Sequence, residues 1–157
     1  MWKKKNWNLH KNRMDKLTRE FEIKWADLDP NRHMRHSAYN DYAAHMRVKI
    51  LEEAGLNMQR MEELRIGPIL FREETKFLRE VGMQDTITVT CQLLKARDDG
   101  SRWSFVHEVI RADGIKAAEI IVDGAWIDLD KRKLAVPSRD IADVFLAMPR
   151  AENFEFV

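Results

Sequence analysis

Cysteine is almost absent from this chain: Cys91 is the only one in 157 residues, and a lone thiol can neither close an internal disulfide nor supply the cysteine set of a structural zinc site. Its position on the apolar phase of a strand pattern fits a buried thiol in a reducing compartment. Also missing is any apolar run of about eighteen residues, so no membrane span is expected, and no apolar segment behind the first residues suggests a secretory signal. A cytoplasmic location follows as the expectation. Charge of one sign is lacking too. Lys and Arg number 27 against 26 Asp and Glu, a formal net charge of +1, which favours neither nucleic acid nor a membrane surface and leaves any charged ligand to be held locally. Repeats, low-complexity tracts and internal linkers do not occur. The length therefore reads as one domain over residues 15–148, large enough to bury roughly two-thirds of its unfolded surface. The charge balance fails only at the start, where the first thirteen residues carry five Lys or Arg and no acid. Residues 1–14 read as a flexible basic extension and residues 149–157 as a tail that frays or packs on a partner.

What is present is a clear alternation of periods. Leu17, Arg19, Phe21, Ile23 and Trp25 alternate with polar residues, as in a half-buried strand. Tyr39, Tyr42, Ala43, Met46, Ile50 and Ala54 recur at helical spacing, with Ser37 as the N-cap and Gly55 as a left-handed closing residue. Residues 58–65 form a helical or irregular link broken by Gly67-Pro68, and a long strand is expected over 69–81. Over 86–93, Ile87, Val89, Cys91 and Leu93 face one way and threonines and Gln92 the other. Asp98-Asp99-Gly100 predicts a hairpin turn through its tolerance of positive φ, leading into a strand over 102–111. A further turn at 112–114 leads into a strand over 116–128 whose inner face is Ala118, Ile120, Val122, Gly124 and Trp126. Pro137-Ser138 opens a short helix to about residue 147.

The densest chemistry lies in WADLDPNRHMRHSAYNDY, residues 25–42, where a strand ends, a polar turn follows and a helix begins. Asp27, Asp29, Asn31, His33 and His36 crowd that turn beside the free N–H donors of a helix start. The pattern D-x-D-P…H-x-x-Y, carried by Asp27, Asp29, Pro30, His36 and Tyr39, resembles the 4-hydroxybenzoyl-CoA thioesterase-like branch of the hotdog-fold enzymes. The likeness covers about residues 15–130 and includes GPILFREETKFLREVGMQD with its turn at Gly82 and Asp85. It implies an α+β hotdog fold, a five-stranded antiparallel sheet wrapped around a long central helix. It also implies an acyl-CoA thioesterase working as a homodimer, with a dimer of dimers left open, and requiring no cofactor. Protection of open sheet edges leads to the same dimer.

The resemblance assigns Asp29 as nucleophile or general base. It places His36 where a histidine orients substrate or water, its backbone N–H matching an oxyanion donor strengthened by the helix dipole. Asn31 and Tyr39 would line the substrate, Arg102 (with Arg97 as second candidate) would meet CoA phosphate, and Trp103 could stack on adenine, although a buried or interface tryptophan is the commoner outcome. Some relatives carry a tyrosine four residues before the aspartate; here Trp25 stands there, so that hydroxyl's role does not transfer.

Plainer readings compete. Asp29-Pro30-Asn31 is a good turn sequence, and Asp27 suits a cap. An EF-hand reading of Asp27, Asp29 and Asn31 fails because Arg32 replaces the turn glycine and Ala38 the bidentate glutamate. His33 and His36 lack the third ligand of a zinc site. A non-catalytic hotdog module that binds acyl-CoA or acyl carrier protein is the alternative function. A dehydratase fits the spacing less well.

Overall fold

The computed structural model describes residues 16–157, so the basic extension expected over 1–14 lies outside the described residues. Its first strand, β1 (Leu17–Glu22), alternates half-buried and exposed side chains and pairs antiparallel with β3 (Thr86–Ala96), Leu17 opposite Cys91 and Phe21 opposite Ile87. The strand stops three residues earlier than its alternation suggests. A single 3₁₀ turn, Trp25–Asp27, takes over, because the Asp27 carboxylate accepts the Lys24 N–H and the Leu28 N–H reaches back to the Trp25 carbonyl. Trp25 is thereby turned outward, 81% exposed, instead of continuing the inner row.

The central helix, α1, runs His36–Glu53 and buries Ala38, Tyr39, Tyr42, Ala43, Met46 and Ile50. Arg35, not Ser37, is its N-cap, and no side chain caps it. Ser37 lies inside the first turn, where its hydroxyl accepts from the Arg35 guanidinium. At the other end Gly55, with φ +83°, does close the helix. Its N–H bonds to Glu52 and the next N–H, of Leu56, to Leu51, the paired bonds of a Schellman motif, with Leu56 fully buried beneath. α2 (Met58–Leu64) realises the helical link, capped by the Asn57 side chain on the Arg60 N–H.

Gly67-Pro68 does not break the chain. Both sit inside β2 (Ile66–Phe77), which begins earlier and ends earlier than its sequence suggests and pairs antiparallel with β5 (Lys116–Asp128). β2 ends the row β1-β3-β4-β5-β2, so only one of its edges is bonded and a residue without an N–H is tolerated. A bulge between Leu70 and Arg72 bends it around α1. β4 (Arg102–Arg111) lies between β3 and β5. Its hairpin with β3 is longer than two residues: residues 98–101 separate the bonded pair Arg97 and Arg102, and of these only Gly100 has positive φ.

Two short strands extend the five. β6 (Lys133–Ala135) pairs with the end of β5, and β7 (Arg150–Phe156) pairs parallel with Leu93, Lys95 and Ala96 of β3. The expected loose tail is therefore a strand. It takes the part of the β3 edge that β1 leaves uncovered, and the Gln92 amide donates to the Arg150 carbonyl beside it. β3 is buried on both faces from Thr90 to Leu94, where its sequence suggested one polar face.

The inner sheet face and α1 form one core. Ile87, Val89, Cys91, Leu93, Val109, Ile120, Val122 and Trp126 are buried under the helix and under α3 (Arg139–Leu146), whose Phe145 ring contacts Trp103, Phe105 and Trp126. No helix among the described residues is long and apolar enough to cross a membrane.

Candidate active site

The site grows from the connection between β1 and α1. Leu28 and Met34 bridge antiparallel, so residues 28–34 form a small hairpin rather than a simple turn. The Asp29 N–H bonds to the His33 carbonyl at 2.8 Å, and Arg32 closes the bend at φ +63°. The hairpin is tied to the exit of β2, with the Met34 N–H on the Val81 carbonyl at 2.7 Å and His33 bridged to Gly82. That exit is itself the expected turn, where Asp85 accepts the Gly82 N–H at 2.8 Å.

Asp29 is the hub of this hairpin. Its Oδ1 accepts the backbone N–H groups of Asn31 and His33 at 2.8 and 3.1 Å. This is the side-chain turn that Asx-Pro-Asn favours. It also fixes the carboxylate while, among the described residues, neither of those bonds uses Oδ2. Asp27 has the capping place: its Oδ2 accepts from Lys24 N–H and from the Tyr42 hydroxyl, and Arg35 stands 4.0 Å from its Oδ1. The Tyr42 phenol is pushed up by burial and by that Asp27 bond. Tyr39 is buried beside the hairpin, ring against Phe77 at 5.2 Å, and its phenol is held above the usual 10.0 by burial and by the Glu80 and Asp29 carboxylates. Asn31, His33 and His36 are exposed, and His36 is the first residue of α1. No side chain caps that helix; the Arg35 N–H is taken by the Asp27 carbonyl and the Ala38 N–H by the Arg35 carbonyl, which leaves, among the described residues, the His36 and Ser37 N–H groups of the first turn as donors for an anion.

Within one chain the structure does not bring Arg102 to this place. Tyr39 touches Phe77, which pairs with Ala118 of β5, whereas Arg102 pairs with Ala125. Seven steps along β5 put the two rows about 23 Å apart. Arg102 is exposed and lies over the Phe71 ring at 5.6 Å. Trp103, by contrast, is 5% exposed and packed on Phe105 and Phe145, so its indole belongs to the interior and not to an open nucleotide face.

Trp103 forms part of the wall of a cavity of about 190 Å³. Leu51 of α1, Ile69 and Leu70 of β2, Phe105 and Phe145 complete most of it, and Arg47 is its one charged residue. An apolar void somewhat smaller, about 150 Å³, accommodates benzene in an engineered core. Val48 and Leu70 line the cavity and are each 43% exposed, marking its mouth on the seam between α1 and β2. Along the same seam lie Glu73 with Arg47, Thr75 with Asn40 at 2.5 Å, and Phe77 with Tyr39, leading back to the Asp29 hairpin.

Arg47 and its partners escape a reading of the sequence. The guanidinium donates to His107 Nε2 at 3.0 Å and stands 3.9 Å from Glu73. His107 Nδ1 is 2.8 Å from the Thr90 carbonyl, which can only accept; Nδ1 therefore carries the proton and Nε2 the lone pair. Burial and the neighbouring Arg47 lower the His107 imidazole to about 3, so it is neutral. Burial raises the Cys91 thiol to about 12, making it inert. The available signal was a charged residue at an apolar helical phase, four after Ala43, and a histidine on the inward phase of β4. Among the described residues no cluster of three or more His, Cys, Asp or Glu could hold a metal ion.

Residues 23–145 match the family described as the thioesterase-like superfamily. Solved structures share the fold. A hypothetical protein from Staphylococcus aureus in complex with CoA is 22% identical with a TM-score of 0.77, covering 88% of this chain and 89% of its own. A 1,4-dihydroxy-2-naphthoyl-CoA thioesterase from Synechocystis is 16% identical, TM-score 0.75, over 84% and 96%. A DHNA-CoA thioesterase from Staphylococcus aureus is 17% identical, TM-score 0.74, over 84% and 87%. A search of curated protein sequences finds no match.

Proposed function

The chain belongs to the thioesterase-like superfamily, and from that premise we propose that it hydrolyses an acyl-CoA thioester to the free acid and CoA. One observation carries the reading: a carboxylate fixed through Oδ1 by two turn N–H bonds stands in the hairpin that leads into an uncapped helix N-terminus. In the general-base form, Asp29 Oδ2 takes a proton from water as the water oxygen attacks the thioester carbonyl. The oxyanion is held by first-turn N–H groups of α1, that of His36 among them. Collapse expels the CoA thiolate, which takes the proton back from Asp29. In the nucleophilic form Asp29 attacks the carbonyl itself and the C–S bond breaks to release CoA thiolate as the mixed anhydride forms; water then hydrolyses the anhydride, giving the free acid, regenerating the Asp29 carboxylate and supplying the proton that makes the CoA thiol. Asn31 and Tyr39 line the substrate in both forms, and the His36 ring orients substrate or water.

The acyl group runs along the α1–β2 seam, and its apolar end fills the cavity walled by Trp103. Arg102 serves CoA phosphate across a homodimer. The fold of a CoA complex supports CoA as the carrier. Within the superfamily, the D-x-D-P…H-x-x-Y pattern of Asp27, Asp29, Pro30, His36 and Tyr39 supports the 4-hydroxybenzoyl-CoA thioesterase-like branch.

The test is a panel of short, long and aromatic acyl-CoAs incubated with purified protein, read by free thiol release. Turnover of at least one class is expected. Tight equilibrium binding of acyl-CoA with no thiol release would favour the alternative, a binding module.

A further inference from the structure

Arg47 has no part in that chemistry, yet it is placed where a charge is costly. Its side chain is 13% exposed and lines a cavity whose other walls are almost wholly apolar. Burying a guanidinium requires partners of good geometry. Among the described residues it has a neutral imidazole, which accepts one hydrogen bond but supplies no charge, and a glutamate at 3.9 Å, beyond direct hydrogen-bond distance. A guanidinium offers five N–H donors in a rigid fork, and these two contacts leave donors available. His107 and Glu73 fix its position, so it acts as a prearranged donor at a known point in an apolar chamber. Along α1, eight residues separate Tyr39 from Arg47, about 12 Å.

We infer that Arg47 is a specificity-determining residue, and that the cavity takes an acyl group with an apolar body and a neutral oxygen substituent, hydroxyl or oxo, that accepts a hydrogen bond from the guanidinium. A neutral acceptor fits better than a carboxylate. Glu73 already offsets the charge at this point, and a second carboxylate beside it would be repelled. An unsubstituted chain would cover the guanidinium with hydrocarbon and strip water from its free donors, the situation in which a polar site rejects an apolar analogue. The inference rests on the thioesterase reading for the identity of the ligand as an acyl group, though not for the chemistry of the chamber.

The test compares straight-chain acyl-CoAs with hydroxyl-, oxo- and ω-carboxyl-substituted counterparts of equal length, in the wild type, Arg47→Met and Arg47→Gln. The same free acids are titrated in parallel against the fluorescence of the buried tryptophans. In the wild type, kcat/KM should favour the oxygenated chain by roughly 10- to 100-fold. Arg47→Met should erase that preference by raising KM for the oxygenated chain and lowering it for the plain one. Arg47→Gln keeps a neutral donor and covers the case in which Arg47→Met does not fold; it should retain a reduced preference. A guanidinium serving only to tie α1 to β4 would lower stability and leave the ratio unchanged, and that result overturns the inference. So does a wild-type preference for an ω-carboxyl chain over the hydroxyl one, or no preference at all. If no thioester is hydrolysed but the free oxygenated acids bind in an Arg47-dependent way, the chamber's selectivity stands and the thioesterase reading falls.

Discussion

The two aspartates of the D-x-D-P turn have parted company. Asp27 is occupied by the Lys24 N–H and the Tyr42 hydroxyl, so its carboxylate is structural, as its position in the turn suggested. In Asp29, Oδ1 makes the turn, and Oδ2, which those two bonds leave unused, is the oxygen proposed to react. The sequence made the turn and the catalytic readings look like rivals because it cannot separate the two oxygens of one carboxylate. For His36 the same separation applies between ring and backbone. If its N–H is the oxyanion donor, His36→Ala keeps that donor and loses only the orienting ring, so the turnover number should fall by about tenfold or less. A loss as large as that of an Asp29 variant, with an unchanged circular dichroism spectrum, would show that the imidazole does the acid-base chemistry.

At the level of elements, strand and helix periods were legible wherever one face was buried and the other wet. β4 and β5 begin and end where their alternation and turn residues place them, and Gly55 closes α1 as its position required. Legibility failed where tertiary contacts decide. Nothing local distinguishes RAENFEF from a loose tail; it becomes β7 because the end of β3 offers an unpaired edge. Pro68 looked like a breaker because edge position is a property of the sheet, not of the residue.

One position tests the closeness of the sheet and its neighbours. A Cβ on Gly124 would stand 2.2 and 2.5 Å from the Trp103 ring and 2.6 Å from the Ile69 carbonyl. Backbone on one side and a packed indole on the other leave little room to yield. Gly124→Ala should therefore destabilise by about 1–3 kcal/mol, seen as a lower urea midpoint at unchanged slope.

His107 gives the same core a pH dependence. Its folded value, about 3, lies below the 6.5 of an unperturbed imidazole. The unfolded chain thus binds the extra proton first, and ΔG of unfolding rises with pH between those values. The contribution is complete above about pH 6.5 and is lost as pH falls toward 3, on the order of 5 kcal/mol at the limit. Carboxylates add to the same acid limb, so the comparison is with His107→Gln, whose stability should fall less steeply between pH 6.5 and 3. Parallel pH profiles would contradict the buried neutral imidazole.

For the whole molecule, the distance between Asp29 and Arg102 rows matters most. Residues about 23 Å apart on one sheet do not form one compact site. A two-fold axis through the open edge of β2 would reverse the rows and set one chain's Asp29 end beside its partner's Arg102 end. The edge suits such pairing: Leu70, Phe71 and Phe77 are 43%, 52% and 54% exposed. Under this proposal light scattering gives a dimer. Arg102→Ala then raises KM for acyl-CoA by roughly 10-fold or more with turnover kept, and leaves an acyl-pantetheine without the nucleotide unaffected. A monomer, or equal losses on both substrates, would remove Arg102 from the site. The sequence named these residues as candidates for one ligand, but only the register of the sheet shows that a single chain does not unite them.

The central claim is that Asp29 carries the chemistry of thioester hydrolysis. Its direct test is the turnover number of Asp29→Asn on the best acyl-CoA of the wild type, followed by thiol release. The amide keeps an oxygen acceptor for the Asn31 and His33 N–H groups, so the hairpin should persist and the circular dichroism spectrum and oligomeric state should match the wild type. Turnover should fall by roughly 10²–10⁴. Near wild-type hydrolysis by the correctly folded variant would contradict the account.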